Sequence, residues 1–556
     1  MTRSREWRLP AILCTALAIV HTWPLATSPA VLSRNDNGDA QLNEWILAWV
    51  AHQLPHAPTH LFQGNIFYPA RDTLALSEPL IVPALVGAPL AWLGGSPVLV
   101  FNMMVLAGFA LSALAGYALV FAWTGDRMAG LLAGATFAFN THTLTRLAHV
   151  QGLHIYGLPL ALLATDRLLS AARTRDAWWL ALWMTMMAYS SGYLLVFGTI
   201  MIAVAVIARL PEWLPRAAAV AGRFALAAAV SSLAILPLAL PYRRAATDQG
   251  MVRSLDSVRE YSATVQGYLA AAGTIHISTW SARFFKGPVE SFFPGFVVIG
   301  LAAAAIWAAL TSNRRARDGA AFAAETGEAD RLLRRRVIML LAIAVTGLVL
   351  SLGTRTPVYG WIYHVFPPMQ GLRAAARFGN LFLLGMSALA GLGLAALRTR
   401  RSPSPRMTAL AIVVIAAANL EALRAPFEYR RFEGIPRLYT LLSAEPRAVL
   451  AEVPFYRPQD VFENAEYVLN STAHWRPLMN GYSGYVPASY VEYAKTFWYF
   501  PQTPAIEAMR RAGVTHVMVH PARFSRPDAV VAEIAARPEL ELMAIGPRGL
   551  RLYRLH

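Results

Sequence analysis

Across 556 residues, 56% hydrophobic side chains against 15% charged ones and a mean hydropathy of +0.41 exceed what a soluble domain can bury, which excludes a soluble globular protein. The formal net charge of +17 comes from arginine clusters between apolar spans, so membrane orientation accounts for it and nucleic-acid binding does not. The single cysteine, Cys14, lies inside the first apolar span and excludes a disulfide framework or a thiolate metal site within one chain.

The first span, residues 9–27 behind Arg3, Arg5 and Arg8, reads as an uncleaved signal anchor, the competing reading being a signal peptide ending near Ala26 or Ala30. Residues 28–78 follow as a long polar and aromatic loop that opens with Asn35, Asp36, Asn37, Gly38 and Asp39. Leu42, Trp45, Ile46, Trp49, Val50 and Leu54 then recur at helical spacing, which predicts a helix lying in the membrane interface. Further candidate spans lie near 98–123, 128–142, 150–170, 177–191, 193–209, 218–240, 294–311, 337–352, 377–397 and 407–423, about eleven in all. The stretch 79–95 reads as re-entrant or interfacial, because counting it as a span would put the basic loops at Arg173–Arg175 and Arg209–Arg223 outside. On this count Arg127, Arg314–Arg336 and Arg398–Arg406 also face the cytoplasm, with the amino terminus inside and the carboxyl terminus outside.

That orientation collects the polar segments 28–78, 141–149, 241–293, 353–376 and everything after about 424 on the outer face, where function is expected. The inner loop 312–336 needs no role beyond orientation. No phosphate loop, no GxGxxG after a strand, no HExxH and no GxSxG occurs, which argues against ATP-driven and serine-nucleophile chemistry. Residues 424–556 read as a separate outer α/β domain after a membrane domain of residues 1–423. Strands are predicted at Ala448–Val453 and Val514–Val519, a helix at Thr503–Ala512, and a hairpin of Leu540–Ile545 with Leu550–Leu555. The segment Asn480–Gly481–Tyr482–Ser483–Gly484–Tyr485 reads either as a turn packing its tyrosines or as a substrate-facing loop.

Several pieces together resemble a known superfamily: Asn37–Gly38–Asp39–Ala40, Asn65–Ile66–Phe67–Tyr68–Pro69, Ser77–Glu78–Pro79 and Ala148–His149–Val150–Gln151. Set in one span, a long outer loop and many further spans, they resemble the GT-C integral membrane glycosyltransferases over residues 1–240. Gly371–Leu372–Arg373–Ala374–Ala375–Ala376–Arg377–Phe378 and the outer tail resemble the bacterial YfhO-like membrane proteins. The resemblance implies a bacterial inner-membrane enzyme that transfers a sugar from a polyprenyl-phosphate donor, with inversion, to an envelope polysaccharide, lipid or protein acceptor on the outer face. It implies a carboxylate base for the acceptor hydroxyl, for which Asp39 is the choice and Asp36 the reserve. Asp39 also stands where a helix starting at Ala40 would take its N-cap, so capping competes with catalysis for that side chain.

A lipid-phosphate leaving group calls for cations at the outer boundary, and Arg146, Arg243, Arg244, Arg373 and Arg377 fall there. His149 and Gln151 are candidate hydrogen-bonders to phosphate or sugar, with His142 and His154 beside them. Glu78, at the start of an apolar segment, is either a substrate contact or the partner of an outer arginine. Arg253, Arg259, Glu260, Tyr261 and Glu290 are placed along an acceptor path. No cofactor is expected, and Asp36 with Asp39 is too small a site to argue for a metal. The readings from other classes are a transporter or flippase for a lipid-linked sugar and a non-catalytic assembly protein, neither of which needs Asp36 or Asp39 as a base.

Overall fold

A computed structural model describes residues 2–287, 290–318, 323–399 and 404–556. Residues 319–322 and 400–403 of the expected inner loops, and the side chains of Arg3, Arg5, Arg314, Arg315, Arg317 and Glu325, lie outside the described residues. The chain divides into two compact units, Met1–Thr27 with Met104–Leu236 and Val252–Glu428, and Ser28–Met103 with Pro237–Met251 and Tyr429–His556. This division differs from a linear cut at residue 423, because residues 28–78 belong to the same unit as the carboxyl-terminal sheet.

Among the described residues, Pro97–Thr124, Leu210–Gln249, Ala375–Arg398 and Pro405–Ala422 are long and apolar enough to cross a bilayer, and with the composition they make this a membrane protein. Shorter apolar helices are Trp7–His21, Ile81–Trp92, Gly192–Ala208 and Phe296–Thr311. The span expected near 128–142 is a helix of only 12 residues, Arg127–Ala138, because Asn140 accepts from the Thr143 amide and opens a separate short helix. Helix Ile81–Trp92 also has 12 residues, which at a rise of about 1.5 Å each fall short of a hydrocarbon core about 30 Å thick.

Helix Gly379–Thr399 is the centre of the first unit. It is buried along most of its length, and its small residues let other helix backbones approach. A Cβ at Gly385 would lie 2.8 Å from the Leu340 carbonyl and Ala344, and one at Gly391 2.9 Å from the Ala129 carbonyl. At Gly393 a Cβ would collide with the Leu301 carbonyl of helix Phe296–Asp318. Gly393→Ala is therefore expected to cost about 1–3 kcal/mol by overpacking, read as a lower unfolding midpoint in detergent; an unchanged midpoint would contradict this packing.

Arg209, read in the sequence as an inner-face orientation signal, has a second role. It is only 1% exposed, and it ion-pairs with the buried Asp166 of helix Gly157–Ala171 and, through Nε and Nη2, donates to both oxygens of Glu212 at 2.7 and 2.6 Å. Arg336 donates to Asp166 Oδ2 at 3.1 Å and Trp123 Nε1 donates to the same oxygen at 2.9 Å. One carboxylate thus ties together side chains from helices Pro97–Thr124 and Ala323–Ser351 and from the end of Gly192–Ala208.

The second unit holds a four-stranded sheet, with β1 at Leu450–Val453, β2 at His516–Val519, β3 at Leu540–Ile545 and β4 at Arg551–Leu555. The order is β1-β2-β4-β3, with β1 and β2 parallel and the other pairs antiparallel. Helix Thr503–Arg511 leads into β2, and β3 with β4 form the expected hairpin. Leu450 and Leu552 on one face of the sheet and Val453, Val517 and Val519 on the other are fully buried, as continuous apolar runs predict. The free edge of β1 is covered first by Pro477–Met479, through Leu450 N to the Pro477 carbonyl and Met479 N to the Leu450 carbonyl at 2.9 and 2.8 Å. Beyond it runs Asn65–Tyr68: Leu478 N donates to the Asn65 carbonyl, Tyr68 N to that of Leu478 and Phe67 N to that of Asn480. The segment 65–68 and the carboxyl-terminal sheet are therefore joined by backbone hydrogen bonds through 477–480.

Candidate functional site

Helix Gly38–His56 begins two residues earlier than the sequence suggests, and its N-cap is Asn37, whose side chain accepts from the Asp39 amide at 2.9 Å. The capping role expected of Asp39 is thereby corrected: Asn37 caps, and Asp39 sits in the first turn, where the helix dipole favours a carboxylate. Tyr482 Oη donates to Asp39 Oδ1 at 2.7 Å. The helix of Leu42, Trp45, Ile46, Trp49 and Val50, expected to lie in the membrane interface, turns these residues into protein instead. All are buried in protein along with Asn43 and Glu44 on the same helix, which packs against helices Ile81–Trp92 and Ala465–Asn470.

The loop that presents Tyr482 is held from several sides. Asn480, fully buried, accepts from the Glu452 amide at 2.8 Å and donates to the Glu452 carbonyl at 3.0 Å and to Asn464 Oδ1 at 3.1 Å. Gly481 leaves no room for a side chain, since a Cβ there would lie 2.5 Å from the Phe67 ring. Gly38 lies under the same loop, where an added Cβ would come within 3.5 Å of the Tyr482 ring and 3.2 Å of Ala465. Two motifs read separately in the sequence, Asn65–Pro69 and Asn480–Tyr485, thus build one support for the Asp39 turn.

Asp36 pairs with Arg34 at 3.2 Å. Arg244 is held bidentately by the buried Asp72, at 2.8 and 3.1 Å, and Asp72 in turn accepts from Gln63 at 2.7 Å. A residue expected to meet a substrate phosphate is therefore occupied by a protein carboxylate. Arg243 is exposed and Glu78 half-buried, next to a Ser77 carbonyl that accepts from Tyr242.

Arg146, His149, Gln151, Arg373 and Arg377 belong to the first unit. His142 is buried against the Phe292 ring at 4.4 Å, and burial lowers its imidazole well below the usual range, with Arg146, Arg377 and His149 close enough to add to the drop. The Arg377 guanidinium lies 4.6 Å from the Tyr193 ring centre and that of Arg373 4.3 Å from the Tyr261 ring centre. Tyr193 Oη accepts from the Arg373 and Ala374 amides at 3.0 and 2.9 Å, so one tyrosine fixes the backbone of the arginine-rich turn. The structure brings Asp39 together with Tyr482 in one unit, and holds Arg373 against Tyr261 and Arg377 against Tyr193 in the other. Among the described residues, no three histidine, cysteine or acidic side chains gather as metal ligands.

Glu44 is absent from the sequence-based site. It is fully buried on helix Gly38–His56, and the Asn35 side chain, with its amide turned to donate, reaches its two oxygens at 2.8 and 3.1 Å. Burial raises its carboxyl well above the ordinary 4.5, the Asn35 hydrogen bond opposing the rise only in part. A carboxylate inside an otherwise apolar helical run was the available signal. A raised folded-state value means that above pH 4.5 the unfolded chain releases this proton before the folded chain does, so the residue progressively destabilises the fold as pH rises. Glu44→Gln, a neutral isostere, is expected to match wild type below that pH. Above it the variant gains on wild type by about 1.4 kcal/mol per pH unit until the folded carboxyl also ionises. Unfolding midpoints measured across pH check this, and parallel curves for the two proteins would refute it.

No family model matches the chain, and no curated protein matches it. Among solved structures, the arabinofuranosyltransferase AftD from Mycobacteria aligns with a TM-score of 0.57 at 16% identity, over 99% of this chain and 41% of that one. The oligosaccharyltransferase AglB from Archaeoglobus fulgidus, solved with an inhibitory peptide and a dolichol-phosphate, aligns at 0.47 and 13% identity, over 100% and 74% of the two chains. The chain thus spans less than half the length of AftD, and the likeness is one of fold.

Proposed function

We propose that this chain, a membrane protein with the fold of the GT-C glycosyltransferase superfamily, transfers a sugar from a polyprenyl-phosphate donor to a cell-envelope acceptor on the outer face of the bacterial inner membrane, with inversion. The observation that carries the reading is the Asp39 carboxylate, set in a helix first turn whose capping is done by Asn37 and gripped by a tyrosine from a braced loop. In this reading the acceptor oxygen attacks the anomeric carbon, its proton passes to Asp39, and the bond from that carbon to the phosphate oxygen breaks. The departing polyprenyl phosphate carries the negative charge. That charge calls for cations, and Arg244, engaged by Asp72, is not assigned to it. The amino terminus is placed in the cytoplasm and the carboxyl-terminal sheet outside, following the arginine distribution.

The direct test is transfer by the purified protein in lipid from a panel of radiolabelled polyprenyl-phosphate sugars. A labelled product of inverted anomeric configuration from at least one donor is the expected result. Transfer from none of them would count against the enzyme reading.

A further inference from the structure

From the Tyr482–Asp39 contact we infer that Tyr482 is a positioning residue that fixes the orientation and lowers the basicity of the Asp39 carboxylate, so that the carboxyl-terminal domain sets the working pH of the site. The inference rests on Asp39 as the base of the proposed transfer. The geometry is direct: a phenol donating at 2.7 Å to one carboxylate oxygen stabilises the ionised form and freezes one rotation of the side chain. A phenol on a mobile loop would do neither, but this loop is pinned at Asn480, at Gly481 under Phe67, and again where the Tyr485 amide donates to the Leu76 carbonyl at 3.1 Å.

Most of the other charged groups on elements around this turn have partners of their own. Arg34 and Asp36 pair with each other, and Glu44 is buried further along the same helix. Glu463 and Glu466, on the elements beneath Gly38, both pair with Arg523, and Asp460 lies half-buried in the turn before them. Removing the Tyr482 hydroxyl removes the 2.7 Å hydrogen bond to Asp39, and the shift on its removal is what the inference predicts.

The experiment follows the protonation of Asp39 itself, by infrared difference spectra of the full-length protein in nanodiscs across pH, with Asp39→Asn identifying the carboxyl band. In Tyr482→Phe the midpoint of that band is expected to rise by about one pH unit, and in the active protein the acidic limb of kcat/KM moves with it. A 3-fluorotyrosine at position 482, a stronger donor of nearly the same shape, is expected to move the midpoint the other way. It also keeps the test open should the phenylalanine variant fold poorly. Midpoints unchanged by either replacement overturn the inference. Full transfer by Asp39→Asn alongside shifted midpoints would instead overturn the assignment of the base and leave the hydrogen bond's effect standing.

Discussion

Asp39→Asn is expected to lower transfer by about 10²- to 10⁴-fold while the protein stays folded, the range a positioned general base contributes. The two side chains have nearly the same volume, and the asparagine oxygen can still accept from Tyr482 Oη. The cap is untouched, because Asn37 supplies it, and losing one negative charge in a helix first turn costs only about 0.3–1 kcal/mol. What asparagine cannot do is take a proton from the acceptor hydroxyl. The loss should therefore appear in kcat, with an unfolding midpoint close to that of wild type. Asp36→Asn, which removes only the surface partner of Arg34, is expected to retain most of the activity. If Asp39→Asn transfers as fast as wild type, Asp39 is not the base, and Asp36 or Glu78 must be examined next.

The second large effect is structural. Asp166→Ala is expected to destabilise the protein by about 3–5 kcal/mol, because it leaves the buried Arg209 and the neighbouring Arg336 without the carboxylate between them. Arg209 keeps Glu212 and a hydrogen bond to Ser170 Oγ at 2.9 Å, so its charge is only partly compensated. Trp123 Nε1 also loses its acceptor. Asp166→Asn should cost less, since the amide oxygen still accepts from tryptophan and arginine. Unfolding in mixed micelles measures both. A loss under about 1 kcal/mol for the alanine variant would mean that the network contributes little beyond what solvent supplies at an exposed ion pair.

Local signals carried much of the carboxyl-terminal sheet. Runs such as Val514–Val519 and the turn at Gly546–Gly549 are short-range patterns, and β2 and the β3–β4 hairpin lie where those patterns put them. The membrane class followed from composition alone. The helix at Gly38–His56 was legible as a helix from its 3.6-residue periodicity, but its surroundings were not: periodicity reports one apolar face, and it is silent on whether lipid or protein covers that face. The same limit hid Glu44, whose burial depends on what packs around it.

The candidate base shows the division most clearly. That an acidic cluster follows the first span, and that Asp39 is in it, is a property of the chain order and was readable from the residues. Whether Asp39 caps a helix or is held by another side chain depends on where the helix starts, and that start was decided by Asn37 accepting the Asp39 amide. The phenol that meets Asp39 comes from a residue 443 positions away, and Arg244 is occupied by an aspartate 172 positions away. The sequence by itself determined a membrane protein and the strands of its terminal domain, because hydropathy and short-range patterning act within a few residues. Only the tertiary structure decided which polar side chains share a hydrogen bond, because contacts between residues hundreds of positions apart leave no periodic trace in the chain.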